Sequence, residues 1–216
     1  LVLSNLGACY DHAGDSKRAH DAYERALAIR ERTFGKSSPF LVATLNNLAD
    51  FKRKSGDLDG AMADVTRAKA IAVRVPGTVS PLYHVVATTE AEVLSSQGKV
   101  ADARSAFDAV IELEQKAQSP VLATTLASLA ELELGQHAYA DAIALEQRSI
   151  AAFETMGGKD ALDLWRPLAG LASAKRGVDA HADVRAILTR AVAIATKAQV
   201  RDADVAPLRE ALAHMP

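Results

Sequence analysis

The chain has 216 residues, 49% hydrophobic but only 5% aromatic, with 44 alanines, so small and aliphatic side chains on closely approaching helices must fill its interior, alanine being the best helix former. A net charge of −2 excludes the basic surface a nucleic-acid binder needs, and no apolar run nears the roughly 20 residues that span a bilayer. A lone Cys9 excludes a disulfide framework or a Cys-based metal site and no signal peptide is visible, so an all-α, cytoplasmic protein without a cofactor is expected.

The chain opens at Leu1, without methionine and inside a helix, which reads as a piece of a longer protein. A turn at Gly14 leads into a second amphipathic helix over Ser16 to Thr33. After the loop Phe34-Gly35-Lys36-Ser37, the pair Ser38-Pro39 marks a helix start, since serine caps a helix and proline at its first position loses no bond. Helix A of this second unit runs from Pro39 to Ser55 with Leu41, Leu45 and Leu48 on one stripe. Gly56-Asp57 turns the chain into helix B, Asp59 to Val75, whose inner side carries Ala61, Val65, Ala68 and Ala72.

The third unit repeats this, with the loop Pro76-Gly77-Thr78-Val79, the start Ser80-Pro81 and a helix B over Lys99 to Ala117. It places Glu90 where sister units have Leu6, Leu48, Leu129 and Leu171, so that contact must be shared or solvated. The fourth unit starts at Ser119-Pro120, is three residues shorter, puts His137 where the turn glycine falls, and has its helix B over Ala138 to Thr155. In the fifth, Pro167 falls inside helix A, which must either kink or start late. Its helix B spans His181 to Ala198, and a last amphipathic stretch, Asp204 to Ala213, offers Val205, Leu208 and Leu212 to cover the end of the stack.

The register is quantitative. Ala26, Ala68, Val110, Ser149 and Ala191 lie 42, 42, 39 and 42 residues apart, and seven residues before each stand Ala19, Ala61, Ala103, Ala142 and Val184. The units are therefore approximately 1–38, 39–80, 81–119, 120–160 and 161–200, with a terminal helix over 203–214, in a single array.

Three stretches carry a family resemblance: Asn5-Leu6-Gly7-Ala8-Cys9-Tyr10; Ala19 followed by Tyr23-Glu24-Arg25-Ala26-Leu27-Ala28-Ile29-Arg30-Glu31; and Ala43-Thr44-Leu45-Asn46-Asn47-Leu48-Ala49. They resemble tetratricopeptide repeats of the 42-residue kinesin-light-chain type, with Ser38-Pro39 replacing that family's usual His-Pro. The resemblance implies a right-handed superhelical solenoid whose concave face, lined by A helices, binds peptides or protein segments. Arrays of this kind also resemble regions that follow the kinase domain in large bacterial serine/threonine kinases, and sensor halves of bacterial signalling ATPases. The chain has no G-x-x-x-x-G-K-[ST], H-R-D or D-F-G motif, so a non-catalytic binding scaffold is expected. The alternatives are a regulatory segment of such an enzyme or a peptide-pheromone receptor.

In that architecture helix A turns positions i, i+1 and i+4 toward the groove. The register gives Ser4, Asn5 and Ala8; Asn46, Asn47 and Asp50; Thr88, Thr89 and Glu92; Ala127, Ser128 and Glu131; and Ala169, Gly170 and Ser173. Asn5, Asn47, Thr89 and Ser128 form a polar ladder that can pair with the backbone of an extended ligand, or else face solvent or neighbouring helices. Asp50, Glu92 and Glu131 form an acidic wall that favours a basic or N-terminal-amine ligand, unless Arg53 and Lys54 neutralise it. The wall argues against a clamp for C-terminal carboxylates.

Other residues carry less. Asp57-Leu58-Asp59-Gly60 resembles the start of a calcium loop but lacks its later ligands, so a helix cap is expected. The six histidines form no H-x3-H or H-E-x-x-H pair. Cys9 is expected to be buried, Tyr23 and Phe107 to pack between units, and Trp165 to be exposed as a secondary contact.

Overall fold

A computed structural model describes residues 2–75, 81–178 and 183–214. Among the described residues the chain is helical, with short 3-10 turns and no strand. It divides into two compact units, Leu1–Lys116 and Ala117–Pro216.

The first unit contains α1 (Val2–His12), α2 (Ser16–Phe34), α3 (Val42–Lys54), α4 (Leu58–Ala72), α5 (Pro81–Ser96) and α6 (Val100–Ala117). The second contains α7 (Leu122–Gly135), α8 (Tyr139–Gly157), α9 (Trp165–Gly177), α10 (Val184–Lys197) and α11 (Asp202–Ala213). Helices form the expected A/B pairs, α1 with α2, α3 with α4, α7 with α8 and α9 with α10. The loop at 76–79, the Ser80 cap and the start of the last helix B at His181 lie outside the described residues.

Local chemistry sets the boundaries. Ser38 and Ser119 accept the backbone N–H of Phe40 and Val121, at 3.4 and 3.3 Å. The A-to-B turns need one left-handed residue, supplied by Gly14, Gly56 and Gly98 at φ of 77°, 87° and 73° and, in the fourth unit, by His137 at 59°. Asp57 Oδ1 accepts the Gly60 N–H at 3.0 Å, which makes the Asp57–Gly60 segment a helix cap. Pro167 causes no kink: α9 starts late, at Trp165 after a 3-10 turn over Leu162–Leu164, so the proline lies in the first turn.

The small-residue register forms the heart of both units. Ala19, Ala61, Ala103, Ala142 and Val184 are all completely buried. In the second rank Ala26, Ala68, Val110 and Ala191 are buried, and buried Ser149 donates its hydroxyl to the Ala123 carbonyl at 2.7 Å. Leu41, Leu45 and Leu48 join Tyr23, Phe51 and Val65 in the first core. In the second, Leu164, Leu168, Ala191 and Ile194 pack together, and α11 lays Leu208 and Leu212 over α9 and α10. Trp165 is half-buried against this core, contrary to the expectation of an exposed contact.

A polar clamp repeats with the fold. Arg67 in α4 bonds Glu31 at 2.5 Å and the Lys36 carbonyl at 2.8 Å. Arg190 in α10 bonds Glu154 and the Lys159 carbonyl, each at 2.6 Å. All three partners are displaced by 123 residues, three repeats, between the two clamps. Each ties a helix B to the end of the preceding helix B and to the loop after it. Glu90, out of place in the leucine stripe, is shared with Lys69 of α4 as an ion pair.

Enlarging the crossing residue by Ala61→Leu is expected to destabilise the protein by about 1–3 kcal/mol through overpacking, whereas Ala63→Leu, at an exposed position, leaves stability nearly unchanged. Urea unfolding followed by circular dichroism checks this.

Candidate functional site

Successive residues on a helix are about 100° apart, so the three groove positions of a helix A do not share one environment. The first position is closed in the first unit. Ser4, Asn46 and Thr88 are all buried, Ser4 with its hydroxyl 3.3 Å from that of Thr44 on α3. At the second position Asn5 and Asn47 are exposed while Thr89 is buried. Thr88 and Thr89 donate their hydroxyls to the carbonyls of His84 and Val85, at 3.0 and 3.1 Å, the habit of threonines inside helices. Of the ladder Asn5, Asn47, Thr89 and Ser128, Thr89 is thus turned into the packed interior, as are the expected groove residues Asn46 and Thr88, and Asn5 and Asn47 are its open rungs in this unit.

Asn46 is incompletely satisfied. Its Oδ1 is buried with no hydrogen-bond partner, and an orphaned acceptor costs about 1–3 kcal/mol. His84 of α5 also buries both ring nitrogens without partners. Burial holds its imidazole below its ordinary pKa, and its register equivalents are Val42, Ala123 and Trp165, so it occupies a core position.

The acidic wall of the first unit is neutralised. Asp50 is bonded by Arg53 and Lys54, each at 2.7 Å, Arg53 lies 3.8 Å from Glu92, and Lys54 lies 3.9 Å from Asp11. Burial opposes ionisation of Asp50, but Lys54 and Arg53 outweigh it and hold the carboxyl below the usual carboxylate range. Of the two readings of this wall, the pairs at Asp50 and Glu92 favour neutralisation by Arg53 and Lys54.

The second unit differs. Ser128 of α7 is half-buried and engaged, but Glu131 is exposed and has no ionic partner among the described residues. Near it lies a group the groove register overlooks, Glu146 of α8, which is buried with its Oε2 unpartnered. A Cβ on Gly170 of α9 would stand 1.9 Å from Glu146 Oε1. Burial, with the Glu131 charge adding to it and Arg166 opposing, pushes the Glu146 carboxyl up to about 9. The signal was present in the repeat: Glu146 stands in register with Tyr23, Val65, Phe107 and Leu188, all buried hydrophobic residues.

Elsewhere the chemistry is sparse. Cys9 is exposed on α1, not buried as expected, because its side of that helix faces away from the core. Among the described residues no group of three His, Cys, Asp or Glu side chains could hold a metal ion, and no described helix is long and apolar enough to cross a membrane. An open depression of about 390 Å³ beside α4 is lined by Glu31, Lys36, Arg67 and Arg74, where Arg67 is already committed to the clamp.

The tetratricopeptide repeat family model matches residues 1–40. The chain covers 92% of itself and 95% of a kinesin-light-chain-type protein of Podosopora anserina with nearly identical TPR-like repeats, at TM-score 0.66 and 18% identity. BtubC (BKLC) from P. vanneervenii aligns over 92% of this chain and 80% of its own, at TM-score 0.68 and 20% identity. The fold is that of tetratricopeptide-repeat proteins. A Rap protein complexed with Competence and Sporulation Factor shares it at TM-score 0.66 and 13% identity, over 98% of this chain and 63% of its own. In sequence, 121 residues, 55% of the chain, are 27% identical to a Clustered mitochondria protein homolog of Lodderomyces elongisporus, of whose length the match spans 9%.

Glu146 makes stability depend on pH. Its folded pKa lies above the unfolded one, so the folded state holds a proton that the unfolded state releases, and stability falls as pH rises from the ordinary glutamate range toward about 9. Asp50, depressed in the fold, acts with the opposite sign, its contribution being lost as pH falls through the acid range. Melting temperatures of the wild type are expected to decline from pH 5 to pH 9 more steeply than those of Glu146→Gln, and matching slopes would contradict a titrating Glu146.

Proposed function

We propose that this chain is a non-catalytic scaffold whose A helices, α1, α3 and α5 in one unit and α7 and α9 in the other, bind an extended peptide or protein segment. The observation that carries the reading is Asn47 of α3, an asparagine standing exposed in the middle of a helix A. Asparagine is a poor helix former, and its amide offers a donor and an acceptor to a ligand backbone. Asn5 repeats the exposed amide one unit earlier, 42 residues before. In the same unit Asp50 and Glu92 are held in ion pairs with Arg53, and Thr88 and Thr89 are buried.

A receptor for a small diffusible peptide is the second reading, supported by the likeness to a Rap protein solved with Competence and Sporulation Factor. Both readings place the work in the same helices and differ in whether the ligand is free or part of a larger partner.

Replacing Asn5 and Asn47 together by alanine is expected to weaken binding of a randomised nonamer peptide pool tenfold or more, about 1.4 kcal/mol, with the helical signal and melting temperature nearly unchanged. Fluorescence anisotropy and thermal melts measure the two quantities, and binding that falls only in step with folding would sink the groove reading.

A further inference from the structure

Two departures from the repeat meet at one place in the second unit. Glu146 on helix B replaces an otherwise hydrophobic residue, and Gly170 on helix A stands in register with the ladder side chains Asn5, Asn47, Thr89 and Ser128. Since the Glu146 Oε1 lies 1.9 Å from where a Cβ of residue 170 would be, the carboxyl fills from behind the slot that the ladder residue fills elsewhere. Among the described residues no side chain bonds it. Its Oε2 is buried without a partner, Glu131 stands near it on α7, and Arg166 on α9 is within electrostatic reach but forms no ion pair with it.

We propose that Glu146, with Glu131 beside it, is the receptor for a cationic side chain, arginine or lysine, of the segment bound by the second unit. This rests on the reading of the A helices as a peptide-binding surface and adds the chemical class of one anchor residue. A carboxylate withdrawn from water without a partner is costly, and a guanidinium, with five donors in a planar fork, supplies both the charge and the hydrogen bonds it lacks. Neutral donors would answer the hydrogen bonds alone, whereas Glu131 adds a second negative charge to the same place. A metal ion is disfavoured because no third ligand is arranged there among the described residues.

The anchor has a pH signature. With no ligand the carboxyl holds its proton up to about 9, so capture of a cation releases that proton, and affinity for the cationic ligand rises with pH by up to about tenfold per unit below that value.

The test compares two labelled nonamer pools, identical and randomised except for a central arginine or its neutral isostere citrulline, by fluorescence anisotropy at low salt. The arginine pool is expected to bind tenfold or more tightly than the citrulline pool, with an advantage that grows from pH 6 to pH 8. Glu146→Gln removes the preference to within twofold, and Gly170→Ala, which intrudes on the carboxyl, reduces it. Equal binding of the two pools by the wild type, the result if a proton is the only occupant, overturns the anchor and leaves the scaffold reading standing. An arginine preference that survives Glu146→Gln does the same, provided the melt shows that variant folded. Absence of binding by either pool overturns both readings.

Discussion

Everything in this protein hangs on the space a small side chain leaves where two helices cross. Ala19, Ala61, Ala103, Ala142 and Val184 are sealed from solvent at the same point of successive units, and at such a point even a few added methylenes push backbones apart. Because the backbones approach so closely, Leu, Val and Ile from adjacent helices suffice to fill the core, and large rings are needed at few places, such as Tyr23 and Phe107. The low aromatic content is thus a consequence of the crossing geometry. So is the constancy of the repeat: a crossing of fixed spacing fixes where the next loop and the next helix must lie.

That constancy explains the clamp. Arg67 and Arg190 can meet equivalent carboxylates and equivalent loop carbonyls, three repeats apart, only if each unit presents its helix ends with the same offset. Exposed ion pairs contribute little singly, but a guanidinium that also satisfies a loop carbonyl ties down backbone that no helix bonds. The same tolerance of buried polarity runs through the A helices, where Thr88 and Thr89 return their hydroxyls to the preceding turn. Asn46 cannot do this with its amide oxygen, which marks it out among its neighbours.

Much of this was legible in the sequence because the fold is periodic and the period is written in residues that only one geometry accepts. The shifts of 42 and 39 located the helix pairs, and even the exceptions kept their meaning: His137 took the left-handed turn, and Pro167 moved the start of α9. What the period could not supply was direction around a helix. Asn46 and Asn47 are adjacent in sequence and lie on opposite sides of the boundary between core and solvent. Pairing was legible within a helix, where Arg53 and Lys54 stand three and four residues after Asp50, but not between helices, where Arg53 also approaches Glu92. Glu146 was legible in principle, as a charged residue in a hydrophobic register, but a ladder built from small residues passes over it.

Glu146 and Gly170 are better understood as one change than as two. Alone, a glutamate at the position of Tyr23, Val65 and Phe107 would press its carboxyl into a packed helix face, and alone, Gly170 would leave a gap where its sisters place an amide or a hydroxyl. Together they keep the slot filled while replacing a neutral group from helix A by an acid from helix B. The two units therefore offer different chemistry from the same fold. In the first, charges are cancelled internally by Arg53 and Lys54, and amides are left open; in the second, an acid has no counter-ion among the described residues. A repeat protein can change what it recognises in this way without disturbing its crossings, because a slot bounded by three helices, α7, α8 and α9, can be furnished from whichever of them has room.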